Sequence, residues 1–257
     1  MLDVEIVEPS EVEKAVRIFH RDGLVVMRDA LTARQLAYAR SGADRVIMQQ
    51  TEAIPLEEAN RGYARYSFGQ QIHHPEWAQL IDLQTVLPVL EAIWKSSDFH
   101  CWGAGGDYSL PGARIQKLHA DITDMLLDPQ GRVNVFDLPT PVIVVNFPMV
   151  NFTEINGATR FVPGTHRNRD PAPGLEEEPD WMKRSIVCGP AGGAVIRDIR
   201  CWHGGTANRS DEIRAMTSVG YSAPWFVWLR KEHPLPRSLF DSLSDRAKDL
   251  TRFIVDV

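Results

Sequence analysis

The sequence predicts a mainly β protein, an antiparallel sandwich or jelly roll buttressed by N-terminal helices. Three observations lead there. Up to about residue 95 the apolar residues fall at helical spacing. From about residue 98 the texture changes to short runs rich in β-branched and aromatic residues, bounded by Gly, Pro and Asn. Helices do not alternate with those runs, which argues against a doubly wound parallel sheet.

The elements follow in order. "SEVEKAVRIFHRDG" predicts a helix with a Ser10 cap and a stop at Gly23, and "LVVMRDA" a short strand. "TARQLAYARSGADRVIMQQTEA" predicts a second helix capped by Thr32, with Leu36, Ala39, Ala43 and Ile47 on one face. "PEWAQLIDLQTVLPVLEAIW" predicts a third helical region, broken near Pro88. The strand candidates are "FHCWG", "ARIQKL", "PVIVVNFPMV", "TRFVP", "RSIVC", "GAVIRD" and "IRAMTSVGYS". "DPQGRVNVFDLPT" and "HRNRDPAPGLEEEPDWMK" are long loops, and loops of that length are often lids or binding loops. The acidic, Pro-rich composition of 167–183 suits a mobile one. No repeat or linker interrupts the chain, so residues 1–257 are expected to form one domain: a helical buttress over about 10–95 and a β core over about 98–225.

Composition narrows the function. The chain has 257 residues, enough for a sizeable core. It is 44% hydrophobic and 24% charged, and 28 Lys and Arg against 34 Asp and Glu give a net charge of −6. No long basic run occurs, which disfavours a nucleic-acid partner. Cys101, Cys188 and Cys201 form neither a disulfide framework nor a C-x-x-C zinc motif. The acidic N-terminus, interrupted by Pro9, does not read as a signal peptide, and no run of 18 apolar residues suggests a membrane span. A cytoplasmic setting is the simplest expectation. Whether the chain is a monomer or a homodimer is not readable.

Eight histidines are present, and most histidines are structural. His119 has company in "QKLHADITDM": Asp121 stands at i+2, so on a regular strand both side chains project from one face and can hold one cation. By itself H-x-D is equally a surface pair or a helix cap. His203, in "CWHGG", would complete a two-histidine, one-carboxylate face that leaves coordination positions open, as in non-haem Fe(II) oxygenases. A structural zinc site would need a fourth protein ligand, which is not evident. Arg214 lies in a later strand candidate, and its planar fork matches a carboxylate.

Taken together, His119-x-Asp121, His203 and Arg214, with "NGATRFVPGTHR" and the N-terminal "FHRDGLVVMRDALTARQL", resemble the phytanoyl-CoA dioxygenase family, from about residue 15 to residue 225. The resemblance implies a double-stranded β-helix, a cupin-like jelly roll. It implies an oxygenase using Fe(II), 2-oxoglutarate and O2. His119, Asp121 and His203 would be the iron ligands, and Arg214 would hold the distal carboxylate of 2-oxoglutarate. Gln116 and Thr159 are further candidates for contacting the co-substrate, although on a regular strand Gln116 has the opposite parity to His119. Halogenating relatives replace the acidic ligand with a small residue. Asp121 therefore points to oxygenation or desaturation.

The expected substrate is a small molecule, such as a natural-product intermediate, because no extended basic cluster marks a coenzyme A phosphate site. Tyr66, Phe68, His73, Trp202 and Trp225 are candidate substrate contacts, with Trp102 and Trp228 nearby in the same aromatic-rich segments. Hydroxylation is the first expectation. Desaturation, epimerisation, endoperoxidation, ring rearrangement and action on an acyl-CoA remain alternatives, as does a cupin-like binding protein without redox turnover. Asp198 is a candidate hydrogen-bond partner for a ligating imidazole, or else a surface residue.

Overall fold

In the computed structural model, which describes residues 2–227 and 234–256, the strands β1 (Ile6–Val7) and β2 (Leu24–Met27) flank the helix α1 (Val12–Asp22). The helix α2 (Ala33–Ala53) follows, then β3 (Arg65–Ser67), α3 (Pro75–Ala78) and α4 (Leu87–Trp94). The β-rich half holds β4 (His100–Ser109), β5 (Val142–Pro148), β6 (Thr159–Phe161), the helix α5 (Asp180–Lys183), β7 (Ala194–Asp198), β8 (His203–Gly205) and β9 (Arg214–Ser222). Two short helices close the chain, α6 (Arg237–Ser242) and α7 (Asp245–Leu250), which the sequence pattern did not suggest.

Seven strands form the major sheet in the order β1-β2-β7-β5-β9-β4-β3, with every pairing antiparallel except β1 with β2. A minor sheet faces it. There β6 pairs β8, and single bridges add His119 beside His203 and Ile186 beside Arg160. This is the mainly β jelly roll with N-terminal helices that the sequence predicts. The order places sequence-distant strands side by side, and that is what brings His119 to His203.

Alternation decides what each face of the major sheet does. On β5, Ile143, Val145 and Phe147 join Phe19, Trp77, Leu90 and Phe99 in the helix-covered core, whereas Val144 and Asn146 look into the space between the sheets. On β9, Val219 and Tyr221 join the core, whereas Arg214, Met216 and Ser218 face inward. With both faces covered, β5 is buried along its whole length and reads as a continuous apolar run broken only by Asn146.

Helix ends follow local chemistry, with corrections. α2 starts on Thr32 in a reciprocal capping box with Gln35, and α1 ends at Gly23 in the left-handed conformation. Ser10 does not cap α1. The cap position is Glu11, without a side-chain capping bond. Pro88 sits in the first turn of α4, where its missing N–H costs nothing, so it starts that helix rather than breaking one. "ARIQKL" and "RSIVC" form no regular strands; single bridges occur at His119, just after the first, and at Ile186 within the second.

The 167–183 segment is tied down at its far end. Buried Glu178 forms a two-pronged ion pair with buried Arg160 of β6 and accepts the Leu118 N–H at 3.2 Å. Arg160 also donates to the Gln116 carbonyl at 2.7 Å. That ion pair clamps the stretch carrying His119 to β6. Among the described residues, no helix is long and apolar enough to cross a membrane.

Candidate metal centre

His119, Asp121 and His203 converge, each offering one ligand atom, with those atoms all within 4.8 Å of one another. His119 Nε2 lies 3.5 Å from Asp121 Oδ1, and His203 Nε2 lies 3.5 Å from Asp121 Oδ2. The minor sheet makes this possible, because His119 and His203 exchange backbone hydrogen bonds in both directions, at 3.0 and 2.9 Å. The Asp121 N–H donates to the Ile199 carbonyl and holds the carboxylate against the end of β7. The Nδ1 atoms face main-chain carbonyls, His119 to Lys117 at 3.2 Å and His203 to Cys201 at 3.0 Å. A proton held there leaves the Nε2 lone pairs aimed at the centre.

The protonation states suit a cation. Burial, reinforced by the charge of Arg197, pushes the His203 imidazole down to about 3, so it is neutral near pH 7. Burial raises the Asp121 carboxyl, but its charged and polar surroundings, including the hydrogen bond from Arg197, outweigh that and hold it well below the usual range. Neutral imidazoles and an ionised carboxylate are what a divalent metal requires.

The triad opens onto a cavity of about 380 Å³ between the sheets. Gln116, Thr159 and Arg214 line it with the triad. Arg214 is fully buried. It donates through Nε to the Gly157 carbonyl at 3.0 Å and through Nη1 to Asp107 at 2.6 Å, while Nη2 has no partner. Gln116 accepts the Gly205 N–H and donates to the Arg61 carbonyl, each at 2.9 Å. Its parity is no obstacle, because the segment before His119 is not a regular strand. Thr159 stands opposite Gly205 on β6.

Several expected substrate contacts lie elsewhere, and period-two alternation explains three of them. On β3, Arg65 and Ser67 face the cavity, which turns Tyr66 and Phe68 into the core. There Tyr66 stacks on Tyr108 and donates to the Ile54 carbonyl, and Phe68 meets Trp77 edge-on. Trp202 points away from its neighbour His203 and packs with Leu118 and Val162. His73 lies against His74, outside the cavity lining. Trp225 is half-exposed beyond the end of β9, edge-on to Phe226. Trp102 does line the cavity, and Trp228 lies outside the described residues. Asp198 is neither a surface residue nor a partner of His203. It is fully buried and holds Arg200 through two contacts, at 2.9 and 2.7 Å.

Residues not anticipated from the sequence complete the lining: Arg65, Asp107, Asn146 and Arg197. Arg65 is buried, with Nε and Nη1 unpartnered, and its guanidinium lies so close to Gly205 that a Cβ there would come within 2.3 Å of Nη1. Burial and the like charge of Arg214 push Arg65 down to about 9 against the pull of Asp107. Unpartnered buried guanidinium groups are rare and costly. Here they face the same cavity as a metal-type triad, so the donor set fits a divalent cation together with a carboxylate-bearing co-substrate. The signal in the sequence was an Arg inside each of two short strands, "ARYS" and "VIRD", where alternation would bury it.

Comparison with known proteins agrees with this geometry. Dioxygenase andF of Emericella variicolor is 30% identical over 158 residues, 59% of this chain and 52% of that protein. Dioxygenase cdmA of Talaromyces verruculosus is 24% identical over 250 residues, 93% of this chain and 82% of that protein. This chain spans about half the length of andF and of dioxygenase trt7 of Aspergillus terreus. Among solved structures, HygX of Streptomyces hygroscopicus with nickel, 2-oxoglutarate and hygromycin B bound aligns with a TM-score of 0.64 at 16% identity, covering 84% of this chain and 89% of its own. SnoN, a non-heme alpha-ketoglutarate-dependent epimerase from nogalamycin biosynthesis, aligns with a TM-score of 0.61 at 21% identity, covering 83% and 84%. At those identities the structures establish a shared fold. A family model described as Phytanoyl-CoA dioxygenase (PhyH) matches residues 19–216, most of the sequence. The chain therefore belongs to the phytanoyl-CoA dioxygenase family.

Proposed function

We propose that this protein is an Fe(II)- and 2-oxoglutarate-dependent dioxygenase that oxidises an unactivated C–H bond of a small molecule, with hydroxylation as the first outcome. One observation carries the reading: a two-histidine, one-carboxylate cluster at one end of a cavity whose other end holds buried arginines with unpartnered N–H groups. A cupin-like binding protein without redox chemistry would form no succinate with O2 and 2-oxoglutarate.

His119, Asp121 and His203 would hold the iron, oriented by the Lys117 and Cys201 carbonyls behind the two imidazoles. Arg214 Nη2 and Arg65 Nη1 would receive the distal carboxylate of 2-oxoglutarate, with the Thr159 hydroxyl and the second Nε2 hydrogen of Gln116 as further donors. When bound, iron, 2-oxoglutarate and O2 supply the oxidising chemistry, with decarboxylation to succinate and CO2. The cavity lies between the two sheets, with His203 buried and Asp121 on the solvent-accessible side of the site.

A natural-product substrate is favoured by analogy with the dioxygenase relatives and with HygX and SnoN. SnoN, an epimerase, keeps epimerisation open as a second outcome. Anaerobic addition of Fe(II) and then 2-oxoglutarate tests the reading: a weak visible charge-transfer band is expected. Its absence from protein proven to hold iron refutes the proposal. His119→Ala and Asp121→Ala should each abolish stoichiometric iron binding. Product mass then separates the outcomes, a gain of one oxygen for hydroxylation against a loss of two hydrogens for desaturation.

A further inference from the structure

We propose that the substrate carries a carboxylate, received beside the metal ligands by Arg197 Nη1 and the side-chain amide of Asn146. This rests on the function proposed above and adds the class of its substrate.

The charge balance of the cavity favours an anion. The arginines in the cavity wall are Arg61, Arg65, Arg197 and Arg214, and the acids are Asp107 and Asp121, a balance of 4 − 2 = +2. A divalent metal adds two positive charges and 2-oxoglutarate removes two. That excess of positive charge remains in the loaded site and favours an anionic group on the substrate. Arg61 at the rim extends the positive field, within a chain whose net charge is −6. Such a cleft concentrates anions against the overall repulsion.

Location points the same way. Arg214 and Arg65 lie at the far end of the cavity, both in register with Ser109 of β4. Arg197 lies at the metal end, in register with Val144 of β5. It donates through Nη2 to Asp121 Oδ2 at 2.7 Å and through Nε to Asn146 Oδ1 at 3.1 Å. Nη1 is left enclosed with no partner. Asn146 has spent its oxygen on Arg197, so it has amide hydrogens to give. Two neutral donor positions and one fixed positive charge thus stand together, flanked by Val144, Ile199 and Trp102 of the cavity wall. Tyr66, Phe68 and Trp202, by contrast, point away from the cavity.

The test uses the whole protein loaded with Co(II), a redox-inert paramagnetic stand-in, and saturating 2-oxoglutarate. Acetate and its neutral counterpart acetamide are titrated at constant ionic strength, and paramagnetic broadening of their carbon-13 signals gives both affinity and proximity to the metal. Acetate is expected to bind at least tenfold more tightly than acetamide. Asn146→Ala should weaken acetate at least threefold while keeping Co(II) and 2-oxoglutarate, and Arg197→Gln should remove the preference. If Arg197→Gln fails to hold metal, Asn146→Ala decides. Equal affinities for acetate and acetamide overturn the proposal. So does an acetate affinity in Asn146→Ala that is unchanged from the parent, the mark of acetate bound directly to the metal. If 2-oxoglutarate itself fails to bind the Co(II) protein, the proposed function falls and takes this inference with it.

Discussion

Replacing Arg214 with Met separates a co-substrate anchor from a structural ion pair. The side chain is fully buried, and three of its nitrogens are distinguishable. Nε is spent on the Gly157 carbonyl, Nη1 on Asp107, and Nη2 on nothing in the protein. Truncating one partner of a buried charge pair costs about 2–5 kcal/mol, which is roughly 30- to 5,000-fold in affinity. Arg65 remains to receive the same carboxylate, so the loss in 2-oxoglutarate affinity should fall toward the lower end, while iron binding persists. The variant also strands Asp107, whose charge then repels a dianion. Asp107→Asn combined with Arg214→Met should therefore bind 2-oxoglutarate more tightly than Arg214→Met alone. Metal analysis, calorimetric titration of 2-oxoglutarate and thermal unfolding of all three proteins make the assay. An Arg214→Met protein that is folded and metal-competent, yet has a Kd for 2-oxoglutarate within threefold of the parent, would refute the role given to this side chain.

Three further outcomes are expected. Gly205→Ala places a Cβ 2.3 Å from Arg65 Nη1, so it should displace that guanidinium and weaken 2-oxoglutarate binding with little change in Tm; unchanged affinity would contradict the contact. Glu178→Ala leaves Arg160 buried and unpaired, and should cost about 3–5 kcal/mol in urea unfolding, with a loss below 1 kcal/mol arguing against the clamp. Burial pushes the His100 and His166 imidazoles down, the nearby Arg252 and Arg200 respectively adding to this, so the folded chain refuses protons that the unfolded chain accepts. Their contribution is present above the unfolded value of about 6.5 and is lost as pH falls below it, so His100→Phe should flatten stability against pH between about 7 and 5.

Much of the candidate site was legible because its residues together carry the motif pattern of a known family. His119 and Asp121 are two residues apart, His203 precedes a glycine pair, and Arg214 sits in a β-branched run. The aromatic candidates were misplaced for a local reason. In "ARYS" and "CWHGG" a shift of one residue reverses the face, and composition draws attention to the tyrosine and the tryptophan rather than to Arg65 and His203. The isolated bridge at His119 could not be read either, because its single pairing depends on where β8 lies.

The sequence by itself determined the class of fold and the Thr32 cap of α2, which depend on periodicity and capping residues, and its resemblance to a family singled out His119, Asp121 and His203 as the candidate metal ligands. Only the tertiary structure decided the character of the cavity. Whether Arg65 and Arg197 end up buried or solvated depends on sheet order. The order β7-β5-β9-β4-β3 turns these two with Arg214, from strands far apart in sequence, onto one inner face. A charge expelled from water there acquires its meaning from its neighbours across the sheet, and the chain does not list those neighbours in order.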